Sequence, residues 1–203
     1  MPSTTTFALI RHGQTDWNAE FRIQGITDIP LNETGRIQAV DAVAHLADFH
    51  ADDRNWDFIV SSPLSRAADT ADLIAAGLNI DVTHRIPTII ERHYGDAEGL
   101  KAGPELEALR IPNGFLTAET EANVAQRGID ALQVLADEFP GARIIVVTHG
   151  TLIKLTLNEL FDLSVGPISN AALTVVRRSA SGWHLDHLNG AEVASSDVEL
   201  ANG

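Results

Sequence analysis

The sequence predicts a three-layer α/β/α sandwich around a mostly parallel central sheet, and two observations carry that prediction. Short apolar runs without hydrophobic–polar alternation, at Phe7–Ile10, Phe58–Val60 and Ile144–Val147, read as strands covered on both faces. Stretches with apolar residues at helical spacing lie between them, so strands and helices alternate along the chain. After the first strand and a loop, Asn32-Glu33-Thr34-Gly35 leads into a helix carrying Ile37, Val40, Val43, Ala44 and Leu46. The strand at Asp57–Ser61 is followed by a helix opened by Pro63, whose missing N–H is harmless in a first turn. Extended runs are expected at Asp81–His84 and Thr88–Glu91. A long helix spans Glu121–Glu138 and stops before Pro140-Gly141. The Ile144–Val147 strand, a helix through Leu152, Leu155, Leu157 and Leu160, and extended segments at Ala172–Val176 and Trp183–Leu185 complete the core. His184 and His187, three apart on a strand, fall on opposite faces and make no metal pair. Residues 1–188 thus form one domain, with 189–203 as a small-residue, acidic, flexible C-terminal tail.

Composition narrows the function classes. The chain has 203 residues, 44% of them hydrophobic, and no cysteine, which removes disulfides, thiolate metal sites and thiol nucleophiles. No apolar stretch approaches a membrane span, and the N-terminus has no signal-peptide pattern, so a cytoplasmic location is expected. A formal charge of −14 argues against nucleic acid or an anionic membrane as partner. The same charge repels a phosphorylated molecule at long range, so any phosphate site has to be a local positive pocket. A monomer or a homodimer fits this composition equally.

Two strands end in the same dipeptide, at His12-Gly13 and His149-Gly150. In open α/β sheets ligands bind at the carboxyl ends of the strands, so both histidines are delivered to one crevice. Arg11 offers a planar fork suited to phosphate oxygens. A lone Arg-His-Gly reads more readily as a buried histidine beside a surface arginine; the surroundings reverse that. Arg66 falls in the first turn of a helix above the same sheet edge, where a cation opposes the helix dipole unless an anion is bound. His12 and His149 have no carboxylate at ligand-like spacing and two arginines for neighbours, which excludes a metal site.

Five segments resemble the histidine phosphatase superfamily, also called phosphoglycerate mutase-like. They are Leu9–Asn18, Pro30–Gly35, Ser61–Ala67, Glu91–Gly95 and Val147–Gly150, in the family's order across most of the chain. The resemblance implies a phosphoglycerate mutase-like fold and His12 as the nucleophile that forms a phosphohistidine. It implies Arg11, Arg66 and His149 as ligands of the phosphoryl oxygens, helped by Asn18, Gln24, Gly25 and Gly150. It implies Glu91 as proton donor to the leaving alcohol, with no cofactor. A salt bridge to Arg92 is the alternative role for Glu91. Tyr94 and Lys101 stand where the family contacts its substrate.

Within the family, Glu91–Gly95 resembles the mutase form of the acid segment and Asp96–Gly99 the phosphatase form. Between Gly99 and Glu121 the only cations are Lys101 and Arg110, few for retaining a bisphosphate. Metal-independent hydrolysis of a small phosphorylated metabolite is therefore expected, with cofactor-dependent phosphoglycerate mutase as the alternative. A non-catalytic phospho-ligand sensor is a third reading. Residues 99–120, mixing Leu106, Leu109, Ile111, Phe115 and Leu116 with acidic positions, are expected to form a lid that sets specificity.

Overall fold

Each apolar run becomes a strand whose alternate side chains serve two helical layers. A computed structural model describes residues 3–49, 55–112 and 114–193. In chain order the elements are β1 (Thr5–Arg11), α1 (Asp16–Ala19), α2 (Glu33–Asp48), β2 (Phe58–Ser61), α3 (Ser65–Leu78) and β3 (Val82–Arg85). Next come α4 (Pro104–Ala108), β4 (Arg110–Ile111), β5 (Gly114–Phe115), α5 (Glu121–Glu138), β6 (Arg143–Thr148) and α6 (Gly150–Phe161). The chain continues with β7 (Leu173–Ser179), β8 (Gly182–Leu188) and β9 (Ala191–Glu192). The seven-stranded sheet runs β3-β2-β6-β1-β7-β8-β9. Its β3-β2-β6-β1 half is parallel, and β7, β8 and β9 continue it by antiparallel pairing.

The period-2 alternation of a strand divides the core in two. Phe7 and Leu9 of β1, with Ile144 and Val146 of β6, pack against Val124, Leu132 and Leu135 of α5 and Leu152, Ile153 and Leu157 of α6. Ala8 and Ile10, with Ile145 and Val147, face Ala42 and Leu46 of α2 and Ala67, Ala71 and Ile74 of α3. The three layers follow from those two faces. Among the described residues no helix is long and apolar enough to cross a membrane.

Several expectations are corrected. In α2 the buried stripe is Gly35, Ala39, Ala42 and Leu46, while Ile37 and Val40 are exposed. Small residues prevail there because the helix lies against backbone: a Cβ on Gly35 would come within 2.1 Å of the Gln14 carbonyl oxygen. Pro63 precedes α3 rather than opening it; Leu64 is the N-cap and has no side-chain bond to give. The Asp28 carboxylate from a distant loop serves that helix end, accepting from Ser65 N at 2.9 Å and Ser65 Oγ at 2.8 Å. Thr88–Glu91 is not a strand. Pro87 opens a 3-10 turn through Ile89, and the Arg127 guanidinium gathers the carbonyls of Thr88, Ile90 and Glu91 that a sheet partner would have taken. Within the tail expected from 189, Ala191–Glu192 pairs with β8; positions 194–203 lie outside the described residues.

β1 and β6 are parallel neighbours in a register that sets Arg11 beside Thr148. The next residue on each strand is a histidine, and the pairing continues through His12 N–H to the Thr148 carbonyl at 2.9 Å. Gly13 follows at once, where a Cβ would meet the Gly35 carbonyl oxygen at 2.2 Å. Backbone on both sides cannot yield, so Gly13→Ala or Gly35→Ala should cost about 1–3 kcal/mol or more. Denaturant unfolding checks this: the midpoint falls at unchanged slope, and an unmoved midpoint would contradict the close packing.

Candidate active site

His12 is 2% exposed at the end of β1. Its Nδ1 lies 2.7 Å from the Gly13 carbonyl oxygen, which can only accept, so Nδ1 carries the proton. The lone pair is then on Nε2, where it accepts from Arg66 Nε at 3.2 Å. Burial, then the charges of Arg66 and Arg11, hold this imidazole well below the usual histidine range, so it stays neutral. Neutral, oriented and with Nε2 unprotonated, it has what an imidazole nucleophile requires.

Arg66 is fully buried in the first turn of α3. Its Nη2 and Nη1 donate to the carbonyls of Gly25 and Thr27 at 2.7 and 3.0 Å, and the Asp28 carboxylate lies 4.0 Å away. Burial lowers its pKa to about 10, still well above neutral pH. Arg11 Nη1 donates to the Ile168 carbonyl at 2.6 Å while its Nε is buried without a partner. His149, fully buried, approaches His12 ring edge to face with centroids 5.2 Å apart. Its Nε2 lies 2.8 Å from Ser62 Oγ and its Nδ1 is unpartnered. Burial, followed by Arg66, pushes its pKa well below the usual value too.

Asn18 and Gln24 form a chain into the same cluster. Asn18 Nδ2 donates to Gln24 Oε1 at 3.1 Å, and Asn170 Nδ2 bridges Asn18 Oδ1 and the His12 carbonyl. Gln24 Nε2 is buried with no partner. Arg11 Nε, Gln24 Nε2 and His149 Nδ1 are thus three buried, unmatched nitrogens on residues of this site. In native structures such orphans are uncommon, and these three can take hydrogen-bond partners that the chain itself does not supply.

Glu91 faces the start of α6, whose N-cap, His149, gives no side-chain bond. The carboxyl supplies it instead: Oε2 accepts from Thr151 N at 3.1 Å and Oε1 from Leu152 N at 3.3 Å and from Arg92 N at 2.8 Å. Desolvation raises its pKa, outweighing those N–H groups and the two arginines that lower it. The alternative Glu91–Arg92 salt bridge does not form, because Arg92 pairs with Glu121 at 2.9 Å.

Above the cluster opens a cleft of about 380 Å³ lined by Arg11, Asn18, Gln24, Glu91, Tyr94 and Gly150, among others. Tyr94 OH meets Thr151 Oγ1 at 2.8 Å, and burial pushes its pKa up to about 12. Lys101 does not reach the cleft: its ammonium pairs with Glu20 at 3.4 Å on the surface. Gly25 contributes its carbonyl to Arg66 rather than contacting the cleft. Of the described part of the segment 99–120, Phe115 is the residue that lines the opening. Arg22, Thr151 and Lys154 also line it and went unread in the sequence. Lys154, one helical turn beyond Gly150, carried a signal that could have found it: four residues apart on a helix share a face.

The family model described as histidine phosphatase superfamily (branch 1) matches residues 7–191. The chain belongs to that superfamily. Among curated proteins it is 34% identical to the uncharacterized phosphatase PhoE of Bacillus subtilis (strain 168), covering 91% of this chain and 94% of that one. It is also 34% identical to a metal-independent phosphoserine phosphatase of Arabidopsis thaliana, covering 98% and 87%. A mycobacterial glucosyl-3-phosphoglycerate phosphatase solved with VO3 superposes with a TM-score of 0.78 at 30% identity, over 92% of this chain and 99% of that one. The α/β fold is that of these structures, and the enzyme class is phosphomonoesterase.

The two suppressed histidines set a pH dependence. Unfolded imidazoles protonate near pH 6.5, the folded ones only well below it. As pH falls through 6.5 the unfolded chain binds protons that the folded chain refuses, so stability falls with pH. Each such histidine contributes a slope of up to about 1.4 kcal/mol per pH unit below about pH 6.5. Unfolding free energy followed from pH 7 to 5 should decline, and less steeply in His149→Gln; identical slopes would refute the buried-neutral assignment.

Proposed function

We propose that the protein hydrolyses a small phosphorylated metabolite through a phosphohistidine on His12, without a metal. The observation that carries this reading is the neutral His12 imidazole with its Nε2 lone pair against Arg66, in a cluster where Arg11, Gln24 and His149 each keep a buried, unmatched nitrogen. A phosphate monoester brings about −1.5 to −2 charges and three acceptor oxygens. Phosphoryl transfer is mostly positioning and charge stabilisation. Arg11 and Arg66 supply that positive charge where net charge elsewhere opposes it.

The chemistry proceeds in two displacements. As the ester settles, Arg66 Nε–H passes from His12 Nε2 to a phosphoryl oxygen, with Arg11, His149 and the Gly150 N–H on the others. The Nε2 lone pair forms the N–P bond while the P–O bond to the alcohol breaks. Glu91, whose pKa burial raises toward the protonated form, gives a proton to the departing oxygen. The Gly13 carbonyl keeps the Nδ1 proton in place on the phosphoimidazole. Water then attacks phosphorus, the Glu91 carboxylate takes its proton, the N–P bond breaks, and inorganic phosphate leaves.

Hydrolysis is favoured over mutase chemistry by the placement of Lys101 on Glu20, which leaves Arg11, Arg22 and Lys154 as the cations lining the cleft, with Arg66 buried beside His12. Arg22 is itself tied to Glu20 and the Gly99 carbonyl. Retaining a bisphosphate through reorientation asks for more charge than that. The cleft is at the small end of ligand pockets, which suits a compact leaving group. Phosphoserine and glucosyl-3-phosphoglycerate, named for the relatives, belong in the first substrate panel with 3-phosphoglycerate.

p-Nitrophenyl phosphate should be hydrolysed in the presence of EDTA at the untreated rate, and His12→Ala should abolish turnover. Glu91→Gln should lower alkyl phosphate hydrolysis by about 10²–10⁴-fold. With p-nitrophenyl phosphate, whose leaving group needs no proton, the same variant should release a burst of one nitrophenolate per enzyme and then stall as phosphoenzyme. A linear time course with no burst would remove Glu91 from its role in the second step. Isomerisation of 3-phosphoglycerate outpacing phosphate release would favour the mutase.

A further inference from the structure

Arg66 serves His12 only if its guanidinium is aimed, and nothing in its own helix aims it. Both Nη atoms are held by main-chain carbonyls of the loop at Gly25 and Thr27, at 2.7 and 3.0 Å. That loop has no regular secondary structure of its own. Asp28 at its far end is tied to Ser65, and Ile26 and Thr27 between are held by one carboxylate. Glu98 Oε1 accepts from Ile26 N and Tyr94 N, both at 3.0 Å, while Oε2 accepts from Thr27 N at 2.9 Å and from the Thr27 hydroxyl. The seat is close, because a Cβ on Gly25 would lie 2.0 Å from Glu98 Oε1. Burial raises the Glu98 pKa, but bonds from Thr27, Tyr94 and Ile26 outweigh it and hold the carboxyl below its usual range.

We propose that Glu98 is a positioning residue for phosphoryl binding: it clamps Ile26 and Thr27 so that the Gly25 and Thr27 carbonyls orient the Arg66 guanidinium toward His12. The chain of bonds is continuous from Glu98 through the loop to Arg66 Nη1 and Nη2, and from Arg66 Nε to His12 Nε2. Because the loop offers neutral carbonyls, Arg66 is oriented without being neutralised by them, and its charge remains for an anion. Glu98 also accepts from Tyr94 N, so one side chain ties the arginine loop to the segment bearing the cleft residue Tyr94. The idea rests on the phosphoryl-binding role given to Arg66 above.

The test uses the full-length enzyme. Glu98→Gln preserves shape but turns one of the two acceptor oxygens into an N–H₂ facing N–H donors. Phosphate affinity is read by calorimetric titration with inorganic phosphate, and kcat and KM with p-nitrophenyl phosphate. Glu98→Gln should weaken inorganic phosphate and raise KM by about 10–100-fold, the scale of a small misplacement of a binding group. In an Arg66→Ala background the same substitution should change phosphate affinity less than about twofold, because its effect runs through Arg66. Thr27→Val, which removes one of the four bonds and spares the carboxylate, should weaken phosphate about two- to fivefold. Wild-type phosphate affinity in Glu98→Gln or in Thr27→Val, or a full additive loss on top of Arg66→Ala, overturns the proposal. Hydrolysis surviving His12→Ala would instead end the phosphohistidine reading, while the phosphate titrations would still decide the role of Glu98.

Discussion

The hydrogen bond from His12 Nδ1 to the carbonyl of the next residue is the constraint on which the site depends. It puts the ring's proton on the side away from Arg66 and leaves Nε2 as the reactive atom. The backbone must turn sharply after β1 for that carbonyl to come back to its neighbour's ring, and the turn is wedged between Gly13 and Gly35 with no room for a Cβ on either. Thr70 Oγ1 accepts from Gly13 N at 3.0 Å, tying the same turn to α3, the helix that carries Arg66. Nucleophile and phosphate-binding arginine are therefore positioned by one local knot of backbone.

Burying so many titratable groups is costly, and the arrangement limits the cost by keeping most of them neutral. Two histidines have depressed pKa values and Glu91 a raised one, each with desolvation as the leading cause. The arginines remain charged. Arg66, fully buried, has its nearest ion-pair oxygen at 4.0 Å and meets carbonyls at closer range. A tight buried salt bridge would have offset more of its desolvation but left less field for a substrate. The site stores unbalanced positive charge inside a protein whose formal charge is −14, which gives selectivity for an anion small enough to enter.

Sequence reasoning reached the parts of this site that depend on local pattern. Apolar runs ending in His-Gly are legible because a doubly covered strand has no alternation, and both histidines fell at neighbouring strand ends. The α5 limits, Glu121–Glu138, match the expectation because Thr120 caps one end and Pro140 closes the other. Contacts between distant segments were not legible. Ile37 and Val40 looked like the buried face of α2, but close backbone packing at Gly35 gives that face to alanines. Lys101 looked like a substrate ligand, but Glu20, eighty-one positions away, takes its ammonium. Asp28 capping α3 and Glu98 clamping the 25–28 loop carry no local signature, because each acts on a segment far from it in sequence.

The state of the His12 ring is the most direct test of the whole account. Nitrogen-15 NMR of histidine-labelled protein, followed from pH 8 to pH 5, reads protonation of each ring nitrogen separately. The account predicts that His12 shows a protonated Nδ1 and an unprotonated Nε2 across that range, with no imidazolium. A proton on Nε2, or titration near the ordinary histidine value, would contradict it.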